Sequence, residues 1–308
     1  MILRMVGAAT GALLLSLYFA EPGIHATSRT AGTIITTGQM TVARFDHAAV
    51  LLPTGRVLIV GGLTRNGIAQ PSAELFDPTT GRFTATGKPL AQHGWGVTAT
   101  LLGDGKVLVA GGGSVGCDSP CSTASAELYD PATGTFALTG KMTVPRAEAR
   151  TVLLRTGDVL LVGGTPVTET NPVLSAELYH PSTGTFTLLG ATHLTDATQI
   201  TLLNDGRALV VSSTGTDYYD PSTQRFTSTG TMTVPRGKFG GALLPDGRVL
   251  VAGGQIGGAW GPRVASTQIY DPQAARFHPG PDLNENRFKL SKAVVSLNDG
   301  RVLIAGGC

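Results

Sequence analysis

The stretch LLPTGRVLIVGG, Leu51 to Gly62, decides how the rest of the chain is read. A short apolar run breaks at a polar residue followed by glycine, resumes, and stops at two glycines. By itself this is a β-hairpin. The chain then writes nearly the same hairpin five more times. The turns fall at Thr54-Gly55, Asp104-Gly105, Thr156-Gly157, Asp205-Gly206, Asp246-Gly247 and Asp299-Gly300. Asp-Gly between two apolar runs predicts a two-residue hairpin turn of type I′, which requires positive φ. The second runs end at Gly61-Gly62, Gly111-Gly112, Gly163-Gly164, Gly253-Gly254 and Gly306-Gly307, with Ser212-Ser213 in the fourth copy.

Two further elements follow each pair of glycines. The third is SAELFDP (72–78), SAELYDP (125–131), SAELYHP (175–181), TDYYDP (216–221) and TQIYDP (267–272). The fourth begins at Phe83, Phe136, Phe186, Phe226 and Phe277. Asp-Pro-x-x-Gly, or a variant, joins the two, and proline presets φ for a tight turn. Each repeat is therefore four short strands. The first two are apolar on both faces, as strands sandwiched between neighbouring sheets are. No helical periodicity appears after the N-terminal segment.

A double glycine, a tyrosine before Asp-Pro and a later aromatic, in units near 50 residues, resemble the kelch repeat. The resemblance covers residues 32 to 307. It implies an all-β fold, a six-bladed kelch-type β-propeller with one repeat per blade. The segment GTIITTGQMTVAR (32–44) copies GTFALTGKMTVPR (134–146) and supplies a fourth strand without its first three. Residues 292–307 supply a first and second strand without the rest. The reading is a ring closed by N- and C-terminal strands, with a last blade that either has three strands or continues in further residues.

The N-terminus is a separate object. Arg4 precedes an apolar run from Met5 to Ala20, and Ile24-His25-Ala26 offers a small-residue cleavage site. Residues 1–26 are read as a signal peptide, with an uncleaved anchor as the alternative, because the run is short for a membrane span. This leaves 27–308 as one secreted or periplasmic domain, expected to be a monomer with no stable membrane span. Cys117 and Cys121, in GCDSPCS, are expected to form a local disulfide in that compartment. Free thiols are the alternative, and Cys308 is left over. A formal net charge of +2 gives no reason to expect nucleic acid.

Secreted kelch propellers include copper oxidases similar to galactose oxidase. Here Tyr129, Tyr179, Tyr219 and Tyr270 all occupy the repeat's structural position, and no histidines show ligand spacing. No metal or cofactor is expected, and no hydrolase motif appears. His180 is read as a turn residue.

Eleven residues before each turn glycine stand Arg44, Gly94, Arg146, Thr195, Arg236 and Lys289. The resemblance implies that these face one end of the channel. Two roles are open to them. They pair with acids of a neighbouring blade, the candidates being third-strand Glu74, Glu127, Glu177 and Asp217, or Arg44, Arg146, Arg236 and Lys289 bind a ligand together with Trp95 and Trp260. The expected partner is a glycan, another anionic small molecule or a protein. The rival is a carbohydrate-active enzyme on the same face, resembling a sialic acid mutarotase or a carbohydrate oxidase. Its acid–base pair would be His93 and a nearby carboxylate.

Overall fold

The computed structural model describes residues 36–114, 121–165, 174–194, 196–258, 261–290 and 293–307. Residues 1–26, expected to be a signal peptide, lie outside the described residues with Cys117, Thr195, Trp260 and Cys308, as does the side chain of Cys121. Thr37–Cys308 form one compact unit.

Five four-stranded antiparallel sheets follow one another along the chain. The first contains Ala48–Leu51, Val57–Val60, Ala73–Asp77 and Arg82–Ala85. The second contains Thr98–Leu101, Val107–Ala110, Ala126–Asp130 and Thr135–Leu138. The third runs from Arg150–Leu153 to Thr185–Ala191, the fourth from Gln199–Leu202 to Arg225–Thr231, and the fifth from Gly240–Leu243 to Arg276–Gly280. A sixth sheet pairs Val294–Ser296 with Val302–Ile304. No helix occurs among the described residues.

The hairpin turns differ from the type expected. Only the glycine takes positive φ, 81° at Gly55 and 86° at Gly105, and the preceding Thr54 and Asp104 do not. Gly55 N donates to Leu52 O at 2.9 Å, and Leu52 N to Arg56 O at 2.8 Å. This is a three-residue loop, in which a β-turn is followed by a left-handed glycine, rather than a type I′ pair. The Asp side chain serves the turn differently: Asp104 Oδ1 accepts from Lys106 N at 3.0 Å.

The core lies between sheets. Val60 and Leu58 of the first sheet pack with Val107, Val109 and Tyr129 of the second. Equivalent clusters join the second sheet to the third, the third to the fourth and the fourth to the fifth. Second strands such as Val107–Ala110 and Val159–Val162 are wholly buried. First strands are not: Arg150–Leu153 is half-buried throughout. The expectation that both are buried on both faces fails for the first strand, because its other face lines an open hub.

Sheets also bond at their outer corners. Gly87 N donates to Gly134 O at 2.9 Å and Gly140 N to Gly184 O at 2.8 Å, so a fourth strand ends on the next sheet's turn. Gly38 N does the same to Gly81 O at 2.7 Å. A Cβ at Gly38 would sit 2.4 Å from that oxygen, so the position requires glycine. Residues 36–44 thus dock on the first sheet as the copied segment docks on the third.

Candidate functional site

The column of cations is largely built into the framework. Arg146 is buried and donates from Nη1 to Gly163 O (2.8 Å) and Ser175 O (2.9 Å). Its Nη2 reaches Ser175 Oγ (3.3 Å) and Glu177 Oε1 (2.8 Å). Arg44 makes the same four contacts with Gly61, Ser72 and Glu74. Arg236 repeats three with Gly253 and Ser266, and neutral Gln268 stands where the acid would be. Each acid also caps the segment leading into its own repeat: Thr143 N and Val144 N donate to Glu177, as Thr41 N and Val42 N do to Glu74. Burial pushes the Glu74 carboxyl up, but the donors from Thr41, Arg44 and Val42 outweigh it and hold it below the ordinary glutamate value. The geometry of Arg44 and Arg146 is that of pairing, with the acid on the third strand of the arginine's own repeat rather than on a neighbouring blade, and Arg236 fills the same socket without an acid. Their guanidinium groups are enclosed rather than presented at a mouth.

Counting back from the turn glycine misplaces two members of this column. In the second repeat the socket is filled by His93, not Gly94. His93 Nδ1 lies 2.7 Å from Gly111 O and Nε2 lies 3.2 Å from Glu127 Oε1, with both side chains wholly buried. In the sixth repeat Arg287 takes the place: its Nη1 donates to Gly306 O at 2.6 Å. Lys289 lies two residues further on, at φ 59°.

That position recurs. Asp46, Glu148, Lys238 and Lys289 all have φ between 54° and 59°, and Gly96 has 66°. These residues follow one another around the hub: Glu148 N donates to Gly96 O at 2.8 Å, and Leu290 N to Lys238 O at 3.1 Å. Left-handed backbone costs a non-glycine residue on the order of 1 kcal/mol, yet four of the five carry an exposed charge. Acids stand in the first and third repeats, and lysines in the fifth and sixth. The loops after the glycines share this end, because Leu63 bridges to Phe45, Gly113 to Trp95, Thr165 to Ala147 and Gln255 to Gly237. Trp95 stays partly exposed, with its indole against Gly113, where a Cβ would lie 2.3 Å from Nε1.

A cavity of about 390 Å³ opens at the starts of the first strands. It is lined by His47 to Ala49, Val97 to Ala99, Ala149 to Thr151, and Gln199 with Ile200. Thr98 Oγ1 donates to Ala110 O and Gln199 Nε2 to Gly241 O, so much of the polar lining is oriented by backbone. Arg150 is the cation in this lining. Its Nε is buried without a hydrogen-bond partner, and its guanidinium forms no hydrogen bond or ion pair among the described residues. Desolvation pushes its pKa down, against the attraction of Glu148 and Asp196. Sequence reasoning missed Arg150, although a signal was present. Seven residues before the turn glycines stand Ala48, Thr98, Arg150, Gln199, Gly240 and Ala293, and only one is charged.

No family model matches the chain, and no curated protein matches it. Among solved structures the chain is similar to that of YjhT. The match has a TM-score of 0.64 at 11% identity, and covers 86% of this chain and 94% of that one. At that identity the likeness concerns the fold alone. Together with the successive four-stranded sheets around a hub, it decides the architecture. The fold is that of a β-propeller. The sheets are its blades, and the hub cavity lies at the end of its channel that carries the long loops.

His180 bonds within its own blade, to Asp158 Oδ1 (2.8 Å) and Thr187 Oγ1 (3.0 Å). Among the described residues no three His, Cys, Asp or Glu side chains gather as a metal site requires.

Proposed function

We propose that this protein is an extracytoplasmic kelch-type propeller that binds a small polar ligand, a glycan or related anionic molecule, in its hub cavity. The cavity itself carries the reading. It has the size of ordinary small-molecule sites, its walls are strands rather than loops, and a few polar groups converge on it. The framework role of Arg44, Arg146 and Arg236 moves the ligand from the arginine column to the hub. Lys289 and Trp95, at the same end, and Trp260, in the fifth blade's loop sequence, belong to the approach.

Six blades complete the proposed ring, with 32–37 as the outer strand of the blade that contains 301–306, either beside them or across one further strand. Placement of 33–37 in a different blade would remove that closure. Export after residue 26 and a Cys117–Cys121 bridge belong to the same picture, and non-reducing mass spectrometry of secreted protein tests both. The enzymatic alternative loses its histidine, since His93 and Glu127 are enclosed together in a socket.

A glycan array with the purified protein tests the function. The expected result is retention of a narrow set of glycans. Retention of none would refute the reading.

A further inference from the structure

Four arginines stand near the hub end, three of them buried, and the fourth, half-buried Arg150, is left without acceptors among the described residues. Arg44, Arg146 and Arg236 each have three or more short contacts to carbonyl, hydroxyl or carboxylate oxygens. Arg150 has none among the described residues, and its Nε is sealed from solvent. An unpaired guanidinium nitrogen shut away from water is costly, and a fold gains nothing from keeping it. The neighbouring blades put Thr98 and Gln199 at the same strand position, which shows that a neutral residue fits there.

The two nearest acids do not supply the missing acceptors. Asp196 Oδ1 accepts from Ser213 N at 2.8 Å, and Glu148 is exposed at the mouth. Neither forms an ion pair with Arg150. They do set a limit on what enters: beside two carboxylates, one negative charge on the ligand is tolerated far better than two.

Resting on the hub-binding reading, we infer that Arg150 anchors the carboxylate of a monoanionic, polyhydroxylated ligand, the chemistry of a sugar acid. Guanidinium and carboxylate match as a two-pronged pair. Hydroxyl groups on the same ligand meet polar groups of the lining in the hydroxyls of Thr98 and Thr151 and the amide of Gln199. A cavity of about 390 Å³ admits a molecule of monosaccharide size. The same chemistry disfavours sugar phosphates, whose second charge faces Glu148 and Asp196.

Calorimetric titration of the whole protein tests this, with D-glucuronate and D-galacturonate against D-glucose, D-galactose and glucose 6-phosphate. At least one acid should bind more tightly than its neutral counterpart and than the phosphate, and Arg150→Met should weaken it tenfold or more. The neutral sugars should change less than twofold. A second readout needs no ligand. Arg150→Met should unfold at the same temperature as wild type or higher, whereas Arg146→Met should unfold several degrees lower. Three results would overturn the assignment: an Arg150→Met loss as large as that of Arg146→Met, acids binding no better than neutral sugars, or no acid binding at millimolar concentration. Neutral sugars that bind as tightly as the acids, with acids and neutral sugars alike unaffected by Arg150→Met, would leave the hub reading standing and remove only the carboxylate anchor. An array ligand that still binds after Ala49→Trp fills the cavity would remove the hub reading itself.

Discussion

Removing one hydroxyl, at Tyr219, should stabilise this protein, while removing its counterparts should weaken it. Tyr129, Tyr179 and Tyr270 each place their hydroxyl against a threonine of the preceding blade: Thr86 at 2.8 Å, Thr139 at 2.9 Å and Thr229 at 2.6 Å. For Tyr219, in the fourth blade, the corresponding residue of the preceding blade is Leu189. Tyr219 is wholly buried, and its hydroxyl has no hydrogen-bond partner among the described residues. Burial beside Asp158 and Asp220 pushes its pKa up to about 12. A satisfied buried hydrogen bond contributes about 0.5–1.5 kcal/mol net, and an unsatisfied polar group costs about 1–3 kcal/mol. Tyr179→Phe should therefore lose about 1 kcal/mol and Tyr219→Phe should gain about 1 kcal/mol or more. Equilibrium urea unfolding reads both. In a Leu189→Thr background the sign at Tyr219 should reverse, because the hydroxyl then has a partner. If Tyr219→Phe costs as much as Tyr179→Phe in the native background, the reasoning fails.

Other predictions follow from the sockets. Arg146→Ala strands buried Glu177 and should cost about 3–5 kcal/mol, whereas Arg236→Ala faces neutral Gln268 and should cost about 1–3 kcal/mol. Urea unfolding of both variants checks the order, and a larger loss at Arg236 would contradict it. Acid should also weaken the fold. The folded carboxyls of Glu74 and Glu127 lie below the ordinary value of 4.5. Each is deprotonated more readily folded than unfolded, so its contribution is complete above that value and is lost as pH falls through the lowered folded value. The urea midpoint should be flat above about pH 5.5 and fall on acidification below about pH 4.5; a midpoint that rises on acidification there would refute this.

The four-strand unit and its order were legible in the sequence because turns write themselves in glycine, proline and aspartate. The aromatic pairs were legible for the same reason: Tyr129 and Phe136 stack at 4.8 Å, as Tyr179 and Phe186 do. The site was not. Counting from a turn assumes a constant length, and the sixth repeat has two extra residues before its first strand, which put Lys289 where Arg287 belongs. His93 escaped because a shorter side chain serves the socket from one residue earlier. The turn type was misjudged because Asp-Gly also marks a loop in which glycine alone is left-handed. Arg150 was hidden among apolar strand residues. Only the packing of successive sheets around a hub makes the start of a first strand a cavity wall.

The central claim is that the ligand occupies the hub. Ala49 is exposed into the cavity, so Ala49→Trp fills it without disturbing a packed core. The measurement is a calorimetric titration of the tightest array ligand against wild type and Ala49→Trp, with thermal unfolding to confirm that both are equally folded. The account predicts that binding is abolished in a folded Ala49→Trp protein. Unchanged affinity in that variant would contradict it.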